Sequence, residues 1–127
     1  MADPVRIAVV GLGYWGPNLV RVLHELPDAD VVAACDLDDG RLERIGDRFT
    51  ALRLTRSFDE LLDDPGLEAI AIATSVSTHY KLALRALEAG KHVFVEKPLA
   101  ASSREAEHLL ETASELGLTL MPGHTFL

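Results

Sequence analysis

The strongest constraint on the fold is a regular alternation of short apolar runs with longer amphipathic segments along the 127-residue chain. Nearly continuous apolar runs are typical of strands that are buried on both faces of a parallel sheet and connected by helices. The pattern predicts strands at residues 5–10, 31–35, 53–55, 67–73, 92–95 and 118–121. We therefore expect an α/β domain with a doubly wound parallel sheet of six strands in the order 3-2-1-4-5-6.

Helix signals occupy the segments between the predicted strands. Apolar residues at helical spacing predict helices at residues 14–26, 39–49 and 78–89, with two more that open at Ser57 and Ser102. Each of these serines precedes a glutamate by three positions, which is a capping-box pattern. Gly117 closes the last helix. The length suits one domain, which would span residues 1–127.

Composition excludes several classes of function. The formal net charge of −8 argues against a general nucleic-acid binder. No apolar run approaches the roughly 20 residues of a membrane span, and the N-terminus lacks the pattern of a signal peptide. A single cysteine, Cys35, cannot form an internal disulfide and fits a reducing compartment. We therefore expect a cytoplasmic protein without nucleic-acid or membrane partners.

The segment GLGYWG follows the first predicted strand and opens a helix, as the dinucleotide-binding fingerprint does. In that fingerprint Gly11 permits a tight turn, Gly13 lets a pyrophosphate approach the backbone, and Gly16 lets helix and strand pack closely. The amides of the helix N-terminus would bind the anion. Tyr14 and Trp15 are predicted to flank the cofactor, although they could instead cover the edge of the sheet.

An acidic residue is expected about 20 positions further on, and Asp36 directly follows the second predicted strand. Its carboxylate would accept hydrogen bonds from the adenosine ribose and repel a 2′-phosphate, which favours NAD over NADP. The alternative is a turn that merely needs glycine, with Asp36 as a helix cap. Arg41 and Arg44 could accommodate a 2′-phosphate, but a solvated helix face is the favoured interpretation of both.

Polar residues also follow the fourth and fifth strands, which should be neighbours of the first at the carboxyl edge of the sheet. Thr74 and Ser75 follow strand four, and His79 lies nearby. Glu96 and Lys97 follow strand five, and the proline after them stops the strand. We predict that these residues face the cofactor crevice. For His79, packing at the helix end is an equally supported interpretation.

Lys97 is the candidate catalytic residue. Near a cationic nicotinamide ring, the pKa of a partly buried lysine would be lowered, so its amine could share the proton of a substrate hydroxyl while hydride leaves. The alternative is a surface lysine paired with Glu96, which is geometrically poor because adjacent strand residues point to opposite faces. No spacing of histidine, cysteine or acidic residues suggests a metal site.

Four segments, GLGYWGPN, IATSVSTHY, GKHVFVEKPLA and GHTFL, resemble the glucose–fructose oxidoreductase, inositol dehydrogenase and MocA (Gfo/Idh/MocA) family. The resemblance covers almost the whole chain and implies an NAD(P)-dependent oxidoreductase acting on sugars, cyclitols or sugar nucleotides. It implies that Lys97 lies at the nicotinamide and the substrate, and Glu96 near the nicotinamide ribose. Thr74-Ser75 departs from the usual Thr-Pro or Thr-Asn.

The resemblance also implies a second α/β domain after this one, with substrate contacts, a catalytic histidine and the homo-oligomer interface. We therefore expect a truncated chain that binds NAD(H) but turns over a small-molecule substrate poorly. Two alternatives remain open. A non-catalytic redox sensor or CoA-binding module would keep the glycine loop without needing Lys97. A methyltransferase using S-adenosylmethionine would also have such a loop, but the third glycine argues against it.

Overall fold

The computed structural model describes residues 3–96 and 98–123. Strands and helices alternate, as predicted. In chain order the elements are β1 (Val5–Val10), α1 (Gly16–Glu25), β2 (Ala29–Cys35), α2 (Asp39–Arg48), β3 (Arg53–Thr55), α3 (Phe58–Leu62), β4 (Ala69–Ile72), α4 (Val76–Glu88), β5 (His92–Glu96), α5 (Ser103–Leu116) and β6 (Leu120–Gly123).

The six strands form one parallel sheet in the order β3-β2-β1-β4-β5-β6, which confirms the predicted fold. β1 lies in the middle, hydrogen-bonded to β2 on one side and to β4 on the other. Strand order therefore reverses between β1 and β4. At such a reversal the loops that leave the two strands diverge, and a crevice opens at the carboxyl edge of the sheet.

The hydrophobic core has two halves, one on each face of the sheet. On one face Val9 packs with Leu19 of α1 and Ile45 of α2. On the other face Val10 packs with residues of α4 and α5 such as Leu87 and Leu109. Successive strand residues point to opposite faces, so a strand covered on both sides must be apolar without alternation. This requirement is the reason why the apolar runs predicted the fold.

Three helices begin at a side-chain cap: Asp38 caps α2, Ser57 caps α3 and Ser102 caps α5. Both predicted capping serines accept a hydrogen bond from the amide three residues later, at 3.3 Å from Glu60 and 3.2 Å from Glu105. The longest helix, α5, has 14 residues. Within residues 3–96 and 98–123, no helix is both long and apolar enough to cross a bilayer.

The ends of some elements differ from the prediction, most clearly in β6. This strand spans Leu120–Gly123 and not residues 118–121. Gly117 adopts a left-handed conformation with φ +68°, and the amide of Leu118 still donates to the carbonyl of Ala113 in the last turn of α5. The helix termination therefore extends past the glycine and delays the strand by two residues.

Candidate functional site

A crevice of about 710 Å³ lies at the carboxyl edge of the sheet, where strand order reverses. It brings together most of the predicted site residues. Those that line it are Gly11, Gly13, Tyr14, Trp15, Asp36, Thr74 and Ser75. Gly16, His79 and Glu96 are not among its lining residues, and Lys97 lies outside the described part of the chain.

The three glycines of the loop differ in what requires them. Gly11 has φ +96°, and a Cβ there would lie 2.8 Å from the carbonyl group of Ala73. A Cβ on Gly16 would lie 1.8 Å from the carbonyl oxygen of Gly11, so these two glycines are required by the fold. At Gly13 the nearest atom to an added Cβ is the Nη1 of Arg41, at 3.7 Å. Protein packing therefore does not require Gly13, and its bare backbone leaves room for a ligand.

The two helices that begin at the crevice have no side-chain cap. The N-cap residues are Trp15 for α1 and Ser75 for α4, and neither makes a side-chain hydrogen bond to the first turn. The first amides of a helix have no intrahelical partner and carry a partial positive charge. No side chain therefore occupies the start of either helix, an arrangement that suits an anionic ligand.

Asp36 ties the glycine loop to the turn after β2. It is 8% exposed, and its Oδ2 accepts a hydrogen bond of 2.8 Å from the amide of Leu12. Its Oδ1 accepts a second bond of 2.8 Å from the amide of Asp38. The interpretation of Asp36 as the cap of the following helix is wrong, because Asp38 caps α2. Asp36 instead fixes the loop and is one of the residues that line the crevice.

Arg41 also belongs to the crevice, although the sequence favoured a solvated helix face for it. Its side chain is 45% exposed, but its Nη1 lies 3.7 Å from Oδ2 of Asp36 and beside Gly13. The close approach of α2 to the glycine loop produces this contact. Arg44 is exposed and does not line the crevice. The charge of Asp36 is therefore partly balanced by one neighbouring guanidinium.

Sequence reasoning missed a second wall, which is made by Arg56, Phe58, Lys81 and Arg85. The guanidinium of Arg85 lies 5.1 Å above the Phe58 ring and forms an ion pair with Asp59. A signal was present, since Arg56 directly follows β3 and the two α4 cations are four residues apart. The crevice thus has a basic rim in a chain of net charge −8.

Cys35 lines the floor of the crevice but is not a nucleophile. It is 4% exposed. Burial, and then the negative charges of Asp36 and Glu60, raise the pKa of its thiol to about 11. The thiol therefore stays protonated near neutral pH. Among residues 3–96 and 98–123, no group of three or more potential ligands could hold a metal ion.

His79 and Glu96 lie close to the crevice without lining it. His79 is 1% exposed, with Nδ1 at 2.8 Å from the carbonyl oxygen of Pro98 and Nε2 at 2.9 Å from that of Thr74. These contacts are those of the packing interpretation, and a role of His79 in cofactor binding stays a prediction. Glu96 ends β5, is half-buried and pairs with Gly123 in the sheet.

Comparison with known proteins agrees with this geometry. Residues 5–124 match the family model of Gfo/Idh/MocA proteins, described as an oxidoreductase family with an NAD-binding Rossmann fold. The chain belongs to this family. It is 36% identical to the NAD(+)-dependent scyllo-inositol 2-dehydrogenase of Bacillus subtilis, over 97% of this chain and 36% of that protein.

Two solved structures extend the comparison. The crystal structure of GenD2 from gentamicin A biosynthesis, in complex with NAD, superposes with a TM-score of 0.91 at 34% identity, covering 97% of this chain and 35% of that one. The 3-ketoreductase KijD10 of Actinomadura kijaniata, with TDP-benzene and NADP, gives 0.87 at 30% identity, covering 94% and 38%. The chain therefore spans about a third of the length of its relatives, and these include proteins with either cofactor.

Proposed function

We propose that this chain is the cofactor domain of an oxidoreductase that transfers hydride between nicotinamide and a hydroxyl of a sugar, cyclitol or nucleotide sugar. One observation carries the proposal: the glycine loop, Asp36 and the exit of β4 converge on a single crevice at the reversal of strand order. The named relatives support the substrate class, since one is a scyllo-inositol dehydrogenase and another a 3-ketoreductase bound to a TDP compound.

The residues present fit a dinucleotide. The open space at Gly13 admits a pyrophosphate to the backbone, and the uncapped end of α1 supplies amide donors to it. Each oxygen of Asp36 already accepts one amide hydrogen bond, but a carboxylate oxygen has a second lone pair for a ribose hydroxyl. When bound, the nicotinamide would accept or return the hydride.

NAD is the proposed cofactor in preference to NADP. Asp36 lines the crevice, and its carboxylate would repel the 2′-phosphate of NADP. Arg41, at 3.7 Å from that carboxylate, offsets part of the repulsion. We therefore expect a preference for NADH over NADPH of roughly tenfold, which corresponds to about 1.4 kcal/mol, and not an absolute exclusion.

The test is a titration with NADH and NADPH, followed by the fluorescence of Trp15, the only tryptophan, which lines the crevice. Asp36→Asn should lower the ratio of NADH to NADPH affinity toward unity or below. Arg41→Ala should raise that ratio, because it removes the cation and leaves the carboxylate. Tighter binding of NADPH by the unchanged chain, or shifts of the ratio in the opposite directions, would contradict the preference for NAD.

The chemical step is proposed for Lys97, with Glu96 near the nicotinamide ribose. Glu96 is the last residue of β5, and the lysine is the next residue in the sequence. Its amine would hold the proton of the substrate hydroxyl as hydride leaves the same carbon. Substrate contacts, a catalytic histidine and a homo-oligomer interface are proposed for a further domain, and the whole protein is proposed to be cytoplasmic.

The proposed separation of cofactor binding from substrate turnover gives a second measurement. The chain alone should bind NADH but oxidise inositols or sugars only at background rate. Lys97→Ala should leave NADH affinity within about threefold, since the amine serves the reaction more than binding. Turnover clearly above background by the unchanged chain would contradict the proposed need for a further domain.

A further inference from the structure

A second arginine lines the crevice near Asp36 and forms an ion pair with the start of α2. Arg56 directly follows β3, which is the neighbour of β2 in the sheet. The amide of Asp36 donates a hydrogen bond of 3.2 Å to the carbonyl oxygen of Thr55, so Asp36 and Arg56 leave the edge of the sheet side by side. The Nε of Arg56 lies 3.6 Å from Oδ1 of Asp39, the first residue of α2.

This ion pair bears on the choice between NADH and NADPH. In the proposed site Asp36 accepts the adenosine ribose, so a 2′-phosphate would come close to Asp36 and to the arginine that leaves the sheet beside it. A free guanidinium at this position would bind the phosphate through charge-assisted hydrogen bonds. Arg56 is not free, because the carboxylate of Asp39 balances its charge. A phosphate that displaced this carboxylate would still be repelled by Asp36.

The pair is exposed to solvent, with side chains that are 61% accessible for Arg56 and 78% for Asp39. Exposed pairs contribute little to stability, so the effect of Asp39 is expected in cofactor choice and not in folding. We propose that Asp39 is a positioning residue for cofactor specificity, which holds Arg56 back from a 2′-phosphate. Asp36 repels the phosphate directly, whereas Asp39 acts through the arginine. This inference deepens the proposed function and rests on it for the identity of the ligand.

The test measures the NADH and NADPH affinities of the whole chain by calorimetry at about 0.15 M salt, where distant charges are screened. Asp39→Asn should raise NADPH affinity roughly fivefold and leave NADH affinity within about twofold. Asp39→Glu keeps a carboxylate at this position and should keep both affinities. An unchanged NADPH affinity in Asp39→Asn, or an equal gain for both cofactors, would overturn the proposal.

A double-mutant cycle tests whether Asp39 acts through Arg56. Arg56→Ala alone should change NADPH affinity by no more than about twofold, since Asp39 already neutralises this arginine. When Arg56→Ala is present, Asp39→Asn should add no more than about twofold, because only a screened repulsion is removed. The full gain without the arginine would overturn the proposed route, and so would a large loss of NADPH affinity from Arg56→Ala alone.

The matched control is Asp47→Asn, which changes the net charge by the same amount. Asp47 lies near the end of α2, is exposed and does not line the crevice. Its substitution should change neither affinity, and a gain in NADPH affinity equal to that of Asp39→Asn would overturn the proposal. If the unchanged chain bound NADH but the Asp39 variants did not differ from it, only this inference would fail. If the unchanged chain bound neither cofactor, the proposed function would fail together with this inference.

Discussion

Two neighbouring helices, α1 and α2, begin at the same edge of the sheet, but only α2 has a side chain that caps its first amides. At α2, Oδ1 of Asp38 accepts hydrogen bonds from the amides of Gly40 at 2.8 Å and Arg41 at 3.3 Å. At α1 the N-cap is Trp15, and no side chain caps the helix. The first amides of α2 are thus satisfied within the fold, whereas no side chain occupies those of α1, which suits the proposed binding of an anion.

The missing cap has a structural substitute. The start of α1 is held by close packing, since Gly16 is so near the carbonyl of Gly11 that a Cβ would lie 1.8 Å from its oxygen. The loop is also tied by the bond from Leu12 to Asp36. The N-terminus of α1 is therefore positioned by steric fit and by a neighbouring carboxylate, and not by a capping side chain.

The largest effect is expected from Gly16→Ala. The added methyl group cannot occupy its position without moving α1 away from β1, because the obstructing atom is backbone. The free energy of unfolding should fall by about 3 kcal/mol or more, at the upper end of overpacking effects. Urea unfolding followed by circular dichroism measures it.

Gly46→Ala is the matched control, because it adds the same methyl group inside α2. There the Cβ would lie 2.8 Å from Cδ1 of Leu54, the end of a flexible and 38% exposed side chain. Removing a helical glycine gains up to about 1 kcal/mol, which should offset the local adjustment. If Gly16→Ala were as mild as this control, steric fit would not be what positions α1.

Gly13→Ala should separate binding from stability. Among the described residues beyond its chain neighbours, the nearest atom to the added methyl group is Nη1 of Arg41, at 3.7 Å, so the midpoint of unfolding should stay close to that of the unchanged chain. The methyl group would, however, occupy the approach of the pyrophosphate. NADH affinity should fall at least about tenfold, or 1.4 kcal/mol, in calorimetric titration. Unchanged affinity would mean that the phosphates do not approach the loop at Gly13.

The comparison also explains which features the sequence could predict. The glycine spacing, Asp36 after β2 and the capping serines are local patterns, and each lies where its pattern indicated. The apolar runs predicted the sheet, since a strand that is buried on both faces is apolar at nearly every position. These predictions needed only the order of residues along the chain.

Features that depend on the approach of separate elements were missed or misjudged. The contact of Arg41 with Asp36 arises because α2 packs beside the glycine loop. The wall that includes Lys81 and Arg85 needs α4 to lie against the turn after β3. For His79 the sequence left cofactor contact and helix packing open, because only the fold brings the carbonyl of Pro98 to its ring.

The smallest effect is expected from Asp38→Ala, which removes the cap of α2. The Tm should fall by roughly a few degrees, since one cap is lost, and Asp38→Asn should keep most of it because asparagine also caps. Backbone hydrogen bonds from Arg41 and then Gly40 lower the pKa of the Asp38 carboxyl. The stabilisation by the ionised Asp38 carboxylate is thus complete above the pKa that this carboxyl has in the unfolded chain. It is lost as the pH falls through the lowered pKa of the folded chain, so the Tm values of the unchanged chain and of Asp38→Ala should converge in acid.

NADH affinity provides the decisive part of this last prediction. Asp38 does not line the crevice, and its substitution should leave NADH binding within about twofold, in contrast to Gly13→Ala. If Asp38→Ala weakened NADH binding as strongly as Gly13→Ala, we would conclude that the start of α2 takes part in the site. The freed amides of α2 would then compete with α1 for the pyrophosphate. The starts of both helices would then serve cofactor binding, and the missing cap would not distinguish α1 from α2.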